Sequence, residues 1–223
     1  IDAESFAINA DVSRDPSKEV MASVYQLYQK KLDRANALDF GDLIMRTVQF
    51  LYAHTALRQK YQERFQWVLV DEYQDTNRAQ YVLTKLFAEQ HKNICVVGDD
   101  DQSIYSWRGA DIRNILDFEK DYPSVKVVKL EQNYRSTQPI LSAAWNLVQN
   151  NELRKEKKLW TSRESDVPVV VEEFHNELEE ADWIANRILD FCRNGDYRLT
   201  DCALFYRTNA QSRVLEDAMR RAD

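Results

Sequence analysis

The chain has 223 residues, of which 44% are hydrophobic and 30% charged, with a formal net charge of −7. That is enough chain for one large domain or two small ones around a real core, and it excludes a disordered segment. The acidic balance argues against a surface that binds polyanions all over while leaving room for a local basic groove, and no apolar stretch is long enough to cross a bilayer, which excludes a membrane partner.

Four glycines and four prolines stand against roughly 16 and 11 from average usage, predicting long helices and few elaborate loops. The opening Ile1-Asp2-Ala3-Glu4-Ser5 carries neither an initiator Met nor a signal-peptide pattern and reads as the interior of a longer polypeptide. Asp15-Pro16 opens a helix, and Val20, Val24, Leu27, Tyr28 and Leu32 recur along it as one stripe expected to be buried. A second helical run covers 41–56. Residues 65–70 then read as a strand and 79–87 as an amphipathic helix. A short buried strand follows at 93–98, a helical stretch at 112–121 and a third strand at 125–130. This alternation is the signature of a parallel sheet with helical crossovers, hence an α/β fold. Thr137-Gln138-Pro139 starts another helix, and 150–166 reads as a polar loop. Strands at 168–174 and 202–206 flank a helix over 177–193 that Gly195 stops. A last helix at 211–222 leaves this second α/β unit reading as truncated. Cys95, Cys192 and Cys202 lack any C-x-x-C spacing and are expected to be reduced, buried thiols of a cytosolic protein.

Three segments carry chemistry. In Val68-Leu69-Val70-Asp71-Glu72-Tyr73-Gln74-Asp75 an apolar strand ends in two acids. Asp71 suits Mg²⁺, which takes hard oxygen ligands and keeps several waters, while Glu72 points elsewhere and suits activation of a water against a nucleoside triphosphate. In Gly98-Asp99-Asp100-Asp101-Gln102-Ser103-Ile104-Tyr105-Ser106-Trp107-Arg108, the Gln102 amide suits a γ-phosphate or its attacking water. Tyr105, Trp107 and Arg108 form a stacking set of the kind single-stranded nucleic acid uses. In Gln132-Asn133-Tyr134-Arg135-Ser136-Thr137, Arg135 suits a phosphoryl group and Tyr134 a base, although a surface Arg and a packed Tyr would also account for them. A phosphate-cradling loop needs a Gly-Lys pair, and the glycines here precede Asp42, Asp99, Ala110 and Asp196.

Taken together, Asp71 to Asn77, Gly98 to Ala110 and Asn133 to Thr137 resemble motifs II, III and IV of superfamily 1 DNA helicases, the UvrD/Rep/PcrA family. Leu38 to Ile44 and Leu204 to Arg213 are similar to further stretches of that family. The resemblance implies an ATP-dependent 3′-to-5′ helicase acting on single-stranded DNA and single-strand/duplex junctions, with ATP and Mg²⁺ as cofactors. Asp71 would hold the metal and Glu72 would be the general base. Gln102 would contact the γ-phosphate, Tyr134 would stack on adenine and Arg135 would reach the γ-phosphate. Tyr105, Trp107 and Arg108 would line the DNA path, joined by Arg207 and Asn209. It further implies that residues 1–36 end a helical insertion (1B). Residues 37–136 would complete one RecA-like domain (1A), and 137–223 would begin a second (2A). The P-loop and the later motifs would then lie on companion polypeptides. Two rival readings stay open: a non-catalytic single-stranded-DNA-binding module, and the helicase part of a helicase–nuclease.

Overall fold

A computed structural model describes residues 2–222; Ile1 and Asp223, the ends of the expected outer domains, lie outside the described residues. Contacts divide the chain into two compact units, one running to Glu164 and one from Ser165.

The first unit opens with a helical hairpin, α1 (Ala3–Ser13) and α2 (Pro16–Arg34). Asp15 caps α2 by accepting the Ser17 N–H, and Pro16 occupies the first turn, where its missing N–H costs nothing. The expected buried stripe of α2 is a correction. Val20 and Val24 are 65% and 62% exposed, and Leu27 and Tyr28 are exposed with them. The hairpin instead closes through small residues, Ala10 and Ala22, with Phe6 and Tyr25 meeting edge to face. Next come α3 (Phe40–Ala53) and α4 (Thr55–Arg64), where one helix over 41–56 was expected; the chain leaves helical geometry at His54. α3 begins with a reciprocal capping box between Asp39 and Asp42.

β1 (Val68–Val70) and β2 (Ile94–Val96) pair in parallel, Leu69 opposite Cys95, with α5 (Arg78–Ala88) as the crossover. One face of this pair covers a core of Tyr73, Tyr81 and Phe118, with Val70, Ile94, Val96 and Ile115 packed around it. The other face is open: Leu69 is 76% exposed and Cys95 is exposed beside it. The expectation of strands and thiols buried on all sides therefore fails, since a sheet layer is buried only where another layer covers it. Cys192 and Cys202 are half-buried, and all three thiols are free.

The stretch expected to be helical over 112–121 forms two single turns, α6 (Arg113–Leu116) and α7 (Phe118–Asp121), followed by α8 (Gln138–Val148). The second unit holds α9 (Glu177–Arg193) and α10 (Asn209–Ala222), joined through Ala181, Ala185 and Ala218. Gly195 follows α9 with φ 77°, the left-handed turn that stops a helix. The strands expected at 125–130, 168–174 and 202–206 do not form, because none of them has a ladder partner among the described residues, and a strand exists only by pairing. The architecture is thus α/β, helix-rich, with a small parallel sheet. No helix among the described residues is long and apolar enough to cross a membrane.

Candidate nucleotide and nucleic-acid site

Parallel pairing puts the carboxyl ends of β1 and β2 at the same edge of the sheet, where Asp71-Glu72 and the loop from Gly98 both emerge. Glu72 sits in the left-handed region, φ 50° and ψ 42°, a conformation that costs a non-glycine residue on the order of 1–2 kcal/mol. The turn reverses the chain tightly enough for the Tyr73 N–H to reach the Val97 carbonyl at 3.0 Å, extending the β1–β2 ladder past the strand end. It also leaves the Asp71 and Glu72 side chains exposed at the edge. One Asp71 oxygen accepts the Glu72 N–H at 2.9 Å.

The two loops are joined by hydrogen bonds. The Gln74 Nε2 donates to Glu72, and its Oε1 accepts the Asp99 N–H. The Asp99 carboxylate in turn accepts from the Gln102 side chain at 2.8 Å. Six residues further on, the Arg108 guanidinium lies 4.6 Å from the Trp107 ring centroid and 5.2 Å from that of Tyr105. Trp107 is 70% exposed, so its face is available to a base.

Asp99, Asp100 and Asp101 face a cation cluster that reading 150–166 as a plain loop missed. The Lys157 Nζ lies 2.6 Å from Asp100 and 3.1 Å from Asp101 and also pairs with Asp99. Arg154 forks onto Asp101 at 3.1 and 3.0 Å while lying over the Trp145 ring. Burial alone would push the Asp99 carboxyl up, but the Lys157 ammonium and the Gln102 amide hold it below the usual carboxylate range. Burial likewise works against the charge on Asp101 and is outweighed by Arg154 and Lys157. Lys157 is desolvated as well, yet its three carboxylate partners keep its pKa raised. Among the described residues no group of three or more His, Cys, Asp or Glu side chains is placed to hold a metal ion. The three acids are a clamped structural cluster, whereas the exposed Asp71 carboxylate at the sheet edge accepts only the Glu72 N–H among the described residues.

The same polar segment ties down the third motif. Gln132 and Trp160 form a bridge, and the Asn133 N–H donates to the Trp160 carbonyl at 2.7 Å. The Asn133 side chain accepts the backbone N–H groups of Arg135 and Ser136, shaping the turn into α8. Tyr134 is exposed, its hydroxyl donating to Gln132 at 2.8 Å. The Arg135 guanidinium has no hydrogen-bond or ion-pair partner among the described residues, Asp71, Glu72 and Gln102 included. In the second unit, Gln211 accepts the backbone N–H groups of Arg207 and Thr208, each at 2.9 Å, fixing the turn into α10. Arg207 and Asn209 are exposed there.

Comparison with known proteins decides the family. The UvrD/REP helicase N-terminal domain model matches residues 3–123, and the UvrD-like helicase C-terminal domain model matches 128–223. This chain belongs to the UvrD-like helicase family. Among its UvrD-like relatives, the ATP-dependent DNA helicase PcrA of Bacillus subtilis (strain 168) is 50% identical over 204 residues, covering 92% of this chain and 28% of the relative. The protein of the same name from Staphylococcus aureus (strain Mu50) is 50% identical over 209 residues, covering 94% of this chain and 28% of the relative. That of Staphylococcus epidermidis is 48% identical over 211 residues, 95% of this chain and 29% of the relative. The chain thus spans somewhat more than a quarter of the length of the curated relatives it matches. Asp71, Glu72 and Gln102 fall in the N-terminal family domain. Tyr134, Arg135, Arg207 and Asn209 fall in the C-terminal one.

Proposed function

We propose that this chain is part of an ATP-hydrolysing DNA motor that moves 3′ to 5′ on single-stranded DNA and separates duplex strands at single-strand/duplex junctions. The observation that carries the reading is the parallel β1–β2 pair, which delivers Asp71-Glu72 and the loop bearing Gln102, Tyr105, Trp107 and Arg108 to one sheet edge. The printed names of the relatives, ATP-dependent DNA helicases, support the same chemistry.

Glu72 accepts the proton of a water attacking the γ-phosphate, and Gln102 contacts that phosphate from the neighbouring loop. Asp71 fits a Mg²⁺ site: it is an exposed hard-oxygen donor with capacity to spare beyond the Glu72 N–H, and this metal needs only one or two carboxylates with waters completing its shell. Mg²⁺ held there would neutralise charge on the phosphate oxygens. Tyr134 stacks on the adenine and Arg135, its guanidinium uncommitted, reaches the γ-phosphate. The phosphate cradle, for which these 223 residues contain no Gly-Lys pair, comes from polypeptide outside them. Trp107 and Tyr105 stack on bases while Arg108, Arg207 and Asn209 contact the strand. In this reading 1–36 close a helical insertion, 37–136 complete one motor domain and 137–223 begin the next. The free thiols suit a reducing, cytoplasmic setting.

Strand separation on tailed duplexes tests the proposal with the intact protein. ATP-driven release from a 3′-tailed substrate, lost in Glu72→Gln, is the expected result. Tight oligonucleotide binding with neither strand release nor ATP turnover would establish a non-catalytic binding module instead.

A further inference from the structure

Gln74 is a polar side chain only 1% exposed, lying between the two loops of the site. Its Nε2 donates to the Glu72 carboxylate at 2.8 Å, and its Oε1 accepts the Asp99 backbone N–H at 3.1 Å. These partners fix the orientation of the amide, because only the NH₂ end can donate to a carboxylate and only the oxygen can accept an N–H. The Ser103 hydroxyl donates to the Gln74 carbonyl at 3.3 Å, so the loop grips the residue a second time. Gly98 supplies the room: a Cβ there would lie 2.5 Å from the Gln74 Oε1, 2.9 Å from the Ile115 Cδ1 and 3.2 Å from the Tyr73 nitrogen. The strained backbone of Glu72 aims its side chain from the sheet edge, and the only side chain that donates to its carboxylate among the described residues is this amide.

We infer that Gln74 is a positioning residue that sets the Glu72 carboxylate and couples it to the Asp99–Arg108 loop, so that movement of the DNA-facing loop changes the aim of the water-activating base. The inference rests on the proposed role of Glu72 in ATP hydrolysis. Its physical basis is that misplacing a reacting group by about 1 Å costs on the order of 10²-fold in rate. Any pull on the Asp99 backbone is transmitted through one rigid amide.

The test is steady-state ATP turnover of the intact protein with saturating oligothymidylate, alongside nucleotide-free oligothymidylate affinity and thermal melting. Gln74→Glu keeps the shape and the acceptor for Asp99 but sets an oxygen against the Glu72 carboxylate. It should lower kcat at least about tenfold while KM for ATP and oligonucleotide Kd stay within about twofold. Gly98→Ala, which crowds the same amide from the opposite side, should give the same split and covers the case in which Gln74→Glu fails to fold. A kcat within about twofold of wild type in both variants, with Glu72→Gln inactive, would overturn the inference and leave the motor reading standing. So would kcat, KM and Kd worsening together with the melting temperature, which marks a structural prop. A wild-type protein without turnover, or an active Glu72→Gln, would remove the motor reading itself and this inference with it.

Discussion

Single side chains set what the sheet edge can do. Glu72 adopts an unfavourable backbone conformation that three nearby contacts hold in place: the Tyr73–Val97 bond, the Asp75 N–H to the Glu72 carbonyl, and the Gln74 amide on its carboxylate. Such strain at a loop end, held by its surroundings, is a feature of working sites. Trp107 presents the opposite case, a large ring left in water and braced by Arg108. Replacing it with alanine should weaken oligothymidylate binding by about 1–3 kcal/mol, or about 5- to 150-fold in Kd, measured by fluorescence anisotropy. Arg207 acts through charge alone in this account. Arg207→Ala should weaken binding evenly across sequences and reduce the slope of log affinity against log salt by about one.

At the scale of elements, the segment bearing Arg154, Lys157 and Trp160 clamps the loop of Asp99 to Asp101 and pairs with the strand-like residues before Tyr134. Lys157→Met would leave three adjacent carboxylates facing Arg154 alone. Removing one partner of a fully buried pair costs about 3–5 kcal/mol, and the partial exposure of this cluster reduces that to about 1–3 kcal/mol. Hydrogen exchange should therefore speed up at the amides of residues 99–103, by about 5- to 150-fold. The clamp also has a defined pH window. The lowered pKa values of Asp99 and Asp101 give stabilisation that is present above the unfolded value of about 3.9 and lost as pH falls through the folded values. The raised pKa of Lys157 gives stabilisation that is complete below about 10.4 and lost as pH rises through its folded value. Denaturant midpoints should lie on a plateau between those limits and fall outside them, and Lys157→Met should shrink the alkaline fall to the part that the raised pKa values of Lys85 and Tyr73 contribute.

Much of this was legible before any coordinates, for reasons that differ between elements. α9 runs over 177–193 as its acids, apolar spacing and Gly195 predict, because a helix is written locally. β1 and β2 were legible because a helical crossover brings them together at short range. The segments at 125–130, 168–174 and 202–206 have strand composition, but composition does not provide a pairing partner. The α2 stripe failed in the same way, since periodicity marks a face without saying what covers it. Asp71, Glu72, Gln102 and Trp107 could be named as candidates by type and position, and the structure puts Asp71 and Glu72 at the end of β1 and Gln102 and Trp107 on the loop after β2. Gln74, Gly98 and Lys157 could not: their significance lies in contacts between residues 25 and 57 positions apart, which no local pattern records.

At the scale of the whole molecule, family membership and the sheet-edge geometry support the proposed account, in which one edge hydrolyses the nucleotide and its second loop also carries the stacking residues for DNA. A net charge of −7 is compatible with this because the cations that would meet the strand, Arg108 and Arg207, act locally. The most direct measurement is ATP turnover by the intact protein titrated with oligothymidylate, wild type against Glu72→Gln. The account predicts turnover that rises with the oligonucleotide and falls by about 10²-fold or more in the variant, while the variant still binds the strand. Turnover indifferent to DNA, or undiminished without the Glu72 carboxylate, would contradict it.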